Sequence, residues 1–130
     1  MSSDDDINAQ MPEVMEALRA LGEVFLARIP GYLLSMEEEI NKIQSDNSDN
    51  TPLETLHRQL HTIAGSAGSF GYDEFGKRAR QCERRINDLL KSLNPERPHL
   101  DYPLIAELNV ELHEFMQWTQ VQFKLHEAAK

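Results

Sequence analysis

The sequence contains one cysteine, Cys82, among its 130 residues. A single cysteine excludes an internal disulfide and is typical of a reducing compartment, so we expect a cytoplasmic protein. Cys82 occupies an apolar position in a helical pattern, which favours a small core residue over a nucleophile.

Basic residues are also scarce, since 13 Lys and Arg stand against 22 Asp and Glu, for a formal net charge of −9. This balance disfavours nucleic acid and anionic membranes as partners. No apolar run approaches the roughly 20 residues of a membrane span. The opening MSSDDDINAQ lacks the apolar core of a signal peptide. We therefore expect no nucleic-acid partner and no membrane association.

Strand signals are missing as well, because no segment alternates apolar and polar residues and no Asn-Gly hairpin occurs. Helical spacing dominates instead. One apolar stripe with steps of three and four comprises Val14, Leu18, Leu21, Phe25, Ile29, Leu33, Met36, Ile40 and Ile43. The stripe keeps its phase past proline, which predicts either one kinked helix or two stacked helices broken near Gly22 or Pro30.

Two polar loops, residues 45–52 and 94–103, separate the remaining helical segments. Thr51 is a plausible N-cap for the second segment, which Gly71 ends. Asp73 can cap the third segment in the same way.

The last helix is predicted from about Pro103 to Lys124. Together the segments predict an all-α fold, an antiparallel up-and-down four-helix bundle with an extra or kinked N-terminal helix. At this length we expect a single domain over residues 1–130, with a flexible acidic N-terminus at residues 1–10.

The most unusual stretch is LHTIAGSAGSFGY, residues 60–72, in which small residues follow His61. Each glycine inside a helix costs about 1 kcal/mol against alanine, so something must offset that cost. One explanation is that a large partner needs access to the imidazole. The other is close packing of this helix against a neighbour.

His61 is predicted at the edge of the apolar stripe, because Leu60 faces the core. Its neighbours on the same flank are His57, Arg58, Ala64, Gly65 and Gly68. To react through Nε2, the ring needs an acceptor for its Nδ1–H. Glu83 on the next helix is the candidate for that acceptor, and Gln81 is the alternative.

The pattern H-x-I-x-G-S-A-G-S-F-G resembles the histidine-containing phosphotransfer (Hpt) family, whose usual form is H-x-L-K-G-x-A-x-x-x-G. It looks closest to the phosphotransfer domain of bacterial chemotaxis kinases, and the resemblance covers the whole chain. The resemblance implies that His61 is the phosphoacceptor and that Gly65 gives a docking partner access. It also implies that Glu83, 22 residues further on, orients the ring of His61.

The resemblance implies a phosphoryl carrier of two-component signalling, not an enzyme with its own ATP site. Its partners would be a histidine kinase or hybrid kinase and a response-regulator receiver domain, whose aspartate exchanges the phosphoryl group with His61. No cofactor and no metal are expected, and we expect a monomer. The family lysine three residues after the histidine is Ala64 here. This departure leaves an alternative open, an interaction-only bundle without efficient phosphotransfer.

A basic run on the predicted third helix could replace the charge of the missing lysine or meet an acidic receiver pocket. The expected partner-binding residues are Arg58, Ala64, Gly68, Lys77, Arg80 and Arg84. The alternative to a partner surface is an ordinary solvated face.

A metal site is the competing enzyme-class hypothesis. His57 and His61 are spaced i, i+4, but the segment lacks the glutamate of HExxH. A di-iron bundle needs two Glu-x-x-His copies on helices, and the second copy here, residues 96–99, lies in a proline-bearing loop. The sequence therefore favours phosphotransfer over metal chemistry.

Overall fold

The computed structural model describes the backbone of residues 3–124 and the side chains of residues 11–124. The described chain forms four α-helices: α1 (Ser3–Ser45), α2 (Thr51–Ser69), α3 (Asp73–Lys91) and α4 (Tyr102–Phe123). Within those residues the only β pairing is an isolated bridge between Asn94 and Arg97. The predicted all-α four-helix fold is confirmed, and the last helix lies within one residue of its predicted bounds.

The four helices pack in a closed ring, in which α2 and α4 each contact both α1 and α3. Short connections make successive helices antiparallel. The largest fully buried side chains come from all four helices and comprise Ile29, Met36, Leu56, Leu60, Ile63, Phe75, Ile86, Leu108, Leu112 and Thr119. This apolar centre sets the rotation of each helix, and so determines which residues of α2 and α3 reach the surface.

The N-terminal helix α1 is continuous over 43 residues and passes through Gly22 and Pro30, so of the two predicted alternatives the structure has one helix and not two stacked helices. Its buried part begins only at Phe25, and three members of the predicted apolar stripe that come before it are about half exposed: Val14, Leu18 and Leu21. The reason is length. The other three helices contain only 19 to 22 residues, so the first half of α1 extends past them.

Two predicted helix caps are displaced by one residue. The N-caps of α2 and α3 are Asn50 and Tyr72, and neither side chain makes a capping hydrogen bond. Thr51 is already helical, and its backbone N–H donates to the Asp49 carboxylate at 2.9 Å. Asp73 is the first helical residue of α3, where its negative charge favours the helix N-terminus.

The turn between α2 and α3 depends on Gly71, whose φ of +83° lies in the left-handed region. Glycine adopts that conformation without the steric cost a side chain would bring. After the turn, the Tyr72 N–H donates to the Ala67 carbonyl at 2.9 Å. The tight turn holds α2 and α3 antiparallel along their whole length.

The N-terminal segment of the predicted domain overlaps a described helix, because α1 begins at Ser3. The flexibility predicted for residues 1–10 stays a prediction, as does the single domain over residues 1–130.

Candidate functional site

His61 projects from the middle of α2, and its side chain is 75% exposed. Its Nδ1 lies 2.9 Å from Oε2 of Glu83 on α3, whose side chain is only 16% exposed. Because a carboxylate only accepts, Nδ1 is the donor in this contact, and in the neutral ring the lone pair is then on Nε2. Nε2 has no hydrogen-bond partner among the described side chains and faces outward, so it can act as a nucleophile.

Close packing of α2 and α3 brings Glu83 to the ring. A Cβ added to Gly76 would lie 3.3 Å from the carbonyl oxygen of Ala64 and 3.5 Å from Cβ of Ala67. Both alanines are buried. Small residues on both helices therefore let the two backbones approach closely, at the level just beyond His61.

The glycines of the stretch face the other way. A Cβ added to Gly65 or to Gly68 would meet no atom within 4 Å, whereas one added to Gly76 would be tightly packed. The two explanations for the small residues thus apply to different members: the alanines pack against α3, and the glycines leave open surface beside His61.

Ala64 is the one predicted partner-binding residue that the structure removes from the surface. Its side chain is buried, with 3% of its area exposed, because the α2–α3 seam covers it. The predicted contact of Ala64 with a partner stays a prediction. A longer side chain at position 64 would have to pass between α2 and α3 to reach solvent.

The sequence matches the Hpt domain family over residues 9–118. The chain belongs to this family. Hpt domains carry phosphoryl groups in two-component signalling and interact with kinases and response regulators. Comparisons with curated proteins and with solved structures gave no significant match. Over residues 3–124, no helix of this Hpt domain is long and apolar enough to cross a membrane.

The predicted basic residues of the Hpt domain are all exposed: Arg58, Lys77, Arg80 and Arg84. Arg58 donates a hydrogen bond to Oγ1 of Thr55 at 3.3 Å. No ion pair ties Lys77, Arg80 or Arg84 to another side chain of residues 11–124. These three cations on α3 are therefore available to a partner.

The two other arginines of α3 are occupied. Arg78 pairs with Glu74 at 3.0 Å and stacks its guanidinium 4.5 Å from the ring centre of Trp118. Arg85 donates to Glu111 at 3.1 Å. Both therefore contribute to the α3–α4 side of the bundle, away from His61.

A second histidine–glutamate pair of the Hpt domain was not predicted from the sequence. Nε2 of His113 lies 2.9 Å from Oε2 of Glu37, and its Nδ1 lies 2.9 Å from the carbonyl oxygen of Asn109. Both nitrogens of this ring are engaged, unlike those of His61. The two partners are 76 residues apart, so no local spacing could have indicated the contact.

Other reactive groups offer no comparable site. Burial raises the pKa of the half-buried Cys82 thiol to about 11, and the nearby charge of Glu111 adds to the shift, so the thiol stays protonated. No group of three or more potential metal-ligating side chains occurs within the described part of the chain. His126, the fifth histidine, lies outside the described residues.

Proposed function

We propose that this protein relays a phosphoryl group between a histidine kinase or hybrid kinase and the aspartate of a response regulator. In this proposal His61 is the phosphoacceptor and Glu83 orients it. One observation carries the proposal: an exposed imidazole whose Nδ1 is held by a carboxylate stands beside two glycines with open space around them. The sequence motif around His61 resembles the one in the phosphotransfer domain of bacterial chemotaxis kinases.

The proposed reaction uses the Nε2 lone pair of His61. Nε2 attacks phosphorus of an aspartyl phosphate on the donor receiver, a P–N bond forms, and the P–O bond breaks to return a carboxylate. Positive charge develops on the ring in this step. The Glu83 carboxylate, 2.9 Å from Nδ1, stabilises that charge and keeps the tautomer that exposes Nε2. The reverse reaction delivers the phosphoryl group to the next aspartate.

Glu83→Ala should slow phosphorylation of His61 by about ten- to a hundredfold, since a charge-assisted hydrogen bond contributes roughly 1.5–3 kcal/mol. The rate of phosphoryl transfer from a phosphorylated receiver measures the effect. Glu83→Gln should restore part of the rate, because its amide oxygen can still accept the Nδ1–H.

The matched control for this experiment is Glu37→Ala, which removes the carboxylate of the other histidine–glutamate pair. It should leave the transfer rate unchanged. Equal slowing in both variants would show that Glu83 acts through general stability and does not position His61.

The cation missing at Ala64 is supplied, in this proposal, by Arg80 from the neighbouring helix. Two contacts fix the register of the antiparallel helices: Glu83 lies opposite His61, and Gly76 lies opposite Ala67. Arg80 comes between them on α3, so it lies at the level of Ala64, one turn from His61. It is exposed and has no ion-pair partner among the described side chains.

Arg80→Ala should therefore slow phosphoryl transfer to His61 by about tenfold, because it removes positive charge from beside the transferring group. Lys91→Ala is the matched control. It removes the same charge from the same face of α3, three turns further along the helix, and should transfer at the native rate. Equal rates in all three proteins would assign no role to Arg80.

The three other basic residues that the sequence predicted at the site are proposed to bind the partner. Arg58 on α2 and Lys77 and Arg84 on α3 are exposed on the two helices that carry His61 and Glu83, and their charge would complement the acidic pocket of a receiver domain. Such rim charges change the association rate more than the final affinity, so their contribution should fall as the salt concentration rises.

The proposed function is tested by incubating the protein with each phosphorylated receiver domain of the same organism and detecting acid-labile phosphate. We expect label on this chain with at least one receiver. The replacement of the family lysine by Ala64 supports a second candidate, an interaction-only bundle. Binding to a receiver or kinase without any labelling would favour that second function.

A further inference from the structure

The first half of α1 carries an apolar surface that the rest of the bundle leaves uncovered. The α1 stripe, as we call it, consists of five side chains that are each 47–58% exposed: Met11, Val14, Met15, Leu18 and Leu21. It continues the phase of the buried stripe that begins at Phe25. The α1 stripe is thus a core-type face that extends beyond the end of the core, and such surfaces mark interaction sites.

We propose that the α1 stripe of a second copy of this chain covers it, in an antiparallel helix pair that makes the protein a homodimer. The steps of three and four residues are those of a helix-pairing seam, so the expected occupant is itself a helix. A matching apolar helix is present on every copy of the chain. A two-fold axis then makes one surface serve both sides of the interface.

The length of the free helix favours an antiparallel pair. The part of α1 before the buried stripe runs from Ser3 to Val24 and is about 33 Å long. A two-fold axis between Val14 and Met15 aligns Met11 with Leu18 of the second copy. The same axis aligns residues 11–18 of the two helices with each other, a stretch that ends before Gly22, where Phe70 of the bundle packs against α1.

A parallel pair would not fit in this way. The stripe and the core lie on one face of α1, so the second bundle would need the space that α2 and α4 already occupy. The antiparallel pair instead places the two bundles at opposite ends of a shared helical stalk.

The area of the α1 stripe alone lies just below that of a specific dimer interface, so its margins must contribute. Side chains of this size at half exposure each leave roughly 80–100 Å², so two stripes bury on the order of 900 Å² and reach the range of specific interfaces once their margins are included. One margin is a groove lined by Leu18, Leu26 and Phe70. Arg19 and Glu23 line the same groove and pair with each other, and Arg19 also pairs with Glu16, so this margin is polar as a rim is expected to be.

The proposal departs from the monomer expected from the sequence. The sequence placed Val14, Leu18 and Leu21 in one apolar stripe with the later core residues, and the structure exposes about half of each. No other described part of the chain covers them, and a second copy supplies a matching surface.

Sedimentation equilibrium of the full chain tests the proposal and needs no phosphotransfer activity. We expect a species of twice the 14.9 kDa chain mass. Leu18→Glu should raise the dimer dissociation constant by at least about tenfold, because it buries an unpaired carboxylate in the seam. Leu34→Glu is the matched control, since Leu34 is 64% exposed on the same helix but outside the α1 stripe, and it should remain dimeric.

Mixing two variants tests the direction of pairing. Leu18→Glu and Met11→Lys should each be monomeric alone and form a mixed dimer together, because antiparallel pairing sets position 11 against position 18. A native chain that stays monomeric at its highest soluble concentration would overturn the proposal, as would dimers of Leu18→Glu as tight as the native ones. Failure of the mixed pair to form would overturn the antiparallel arrangement.

Discussion

His61→Gln is expected to abolish phosphorylation of this protein by any donor. Glutamine keeps a polar side chain of similar reach but has no nucleophilic ring nitrogen, so no P–N bond can form. Because 75% of the side chain is exposed, the substitution should leave the thermal midpoint of unfolding close to that of the native chain. Acid-labile label from a phosphorylated receiver or kinase, followed with time, measures the loss.

The other histidines provide the controls for this experiment. His57→Gln, His99→Gln, His113→Gln and His126→Gln should all keep their label, since Glu83 holds only His61 among the histidines of residues 11–124. Label that persists in His61→Gln and disappears in His113→Gln would transfer the assignment to the second histidine–glutamate pair.

Gly65→Leu should reduce receiver-dependent transfer by on the order of a hundredfold, the loss that a misplacement of about 1 Å can cause between reacting groups. An added Cβ at this position meets no atom within 4 Å, so we expect the isolated protein to tolerate the side chain and a docked receiver to be obstructed by it. Leucine also favours the helix by up to about 1 kcal/mol over glycine. Thermal unfolding should therefore show equal or higher stability alongside the lost activity.

Two variants separate docking from other effects of the leucine. Ala106→Leu adds a leucine side chain to an exposed position of α4, across the bundle from α2, and should transfer normally. Gly65→Ala should lie between the native protein and Gly65→Leu, because a methyl group intrudes less. A stable Gly65→Leu variant that transfers at the native rate would assign Gly65 no part in docking.

Gly76 offers a contrast that the same stability measurement can use. Its added Cβ would lie 3.3 Å from the backbone oxygen of Ala64, so the seam between α2 and α3 has little room there. The space around an added Cβ thus distinguishes Gly76, which packs against α2, from Gly65 and Gly68, which leave open surface beside His61. Sequence spacing alone treats all of them as helix-destabilising residues.

Much of the fold follows from sequence periodicity. The apolar steps of three and four predicted the helices, and the last helix lies within one residue of its expected position. The choice of His61 and Glu83 as candidates also came from the sequence, through the small residues after the histidine and the resemblance of the motif. Local patterns suffice for these inferences because they depend on helix geometry.

The tertiary structure decided which neighbours cover each helical face. Periodicity placed Val14, Leu18 and Leu21 in one stripe with the core residues from Phe25 onward, but the other helices leave about half of each exposed. Likewise, adjacent residues Ala64 and Gly65 differ in burial because α3 lies over only one of them. A sequence pattern identifies an apolar face, whereas the lengths and register of the packed helices determine whether that face becomes core, seam or open surface.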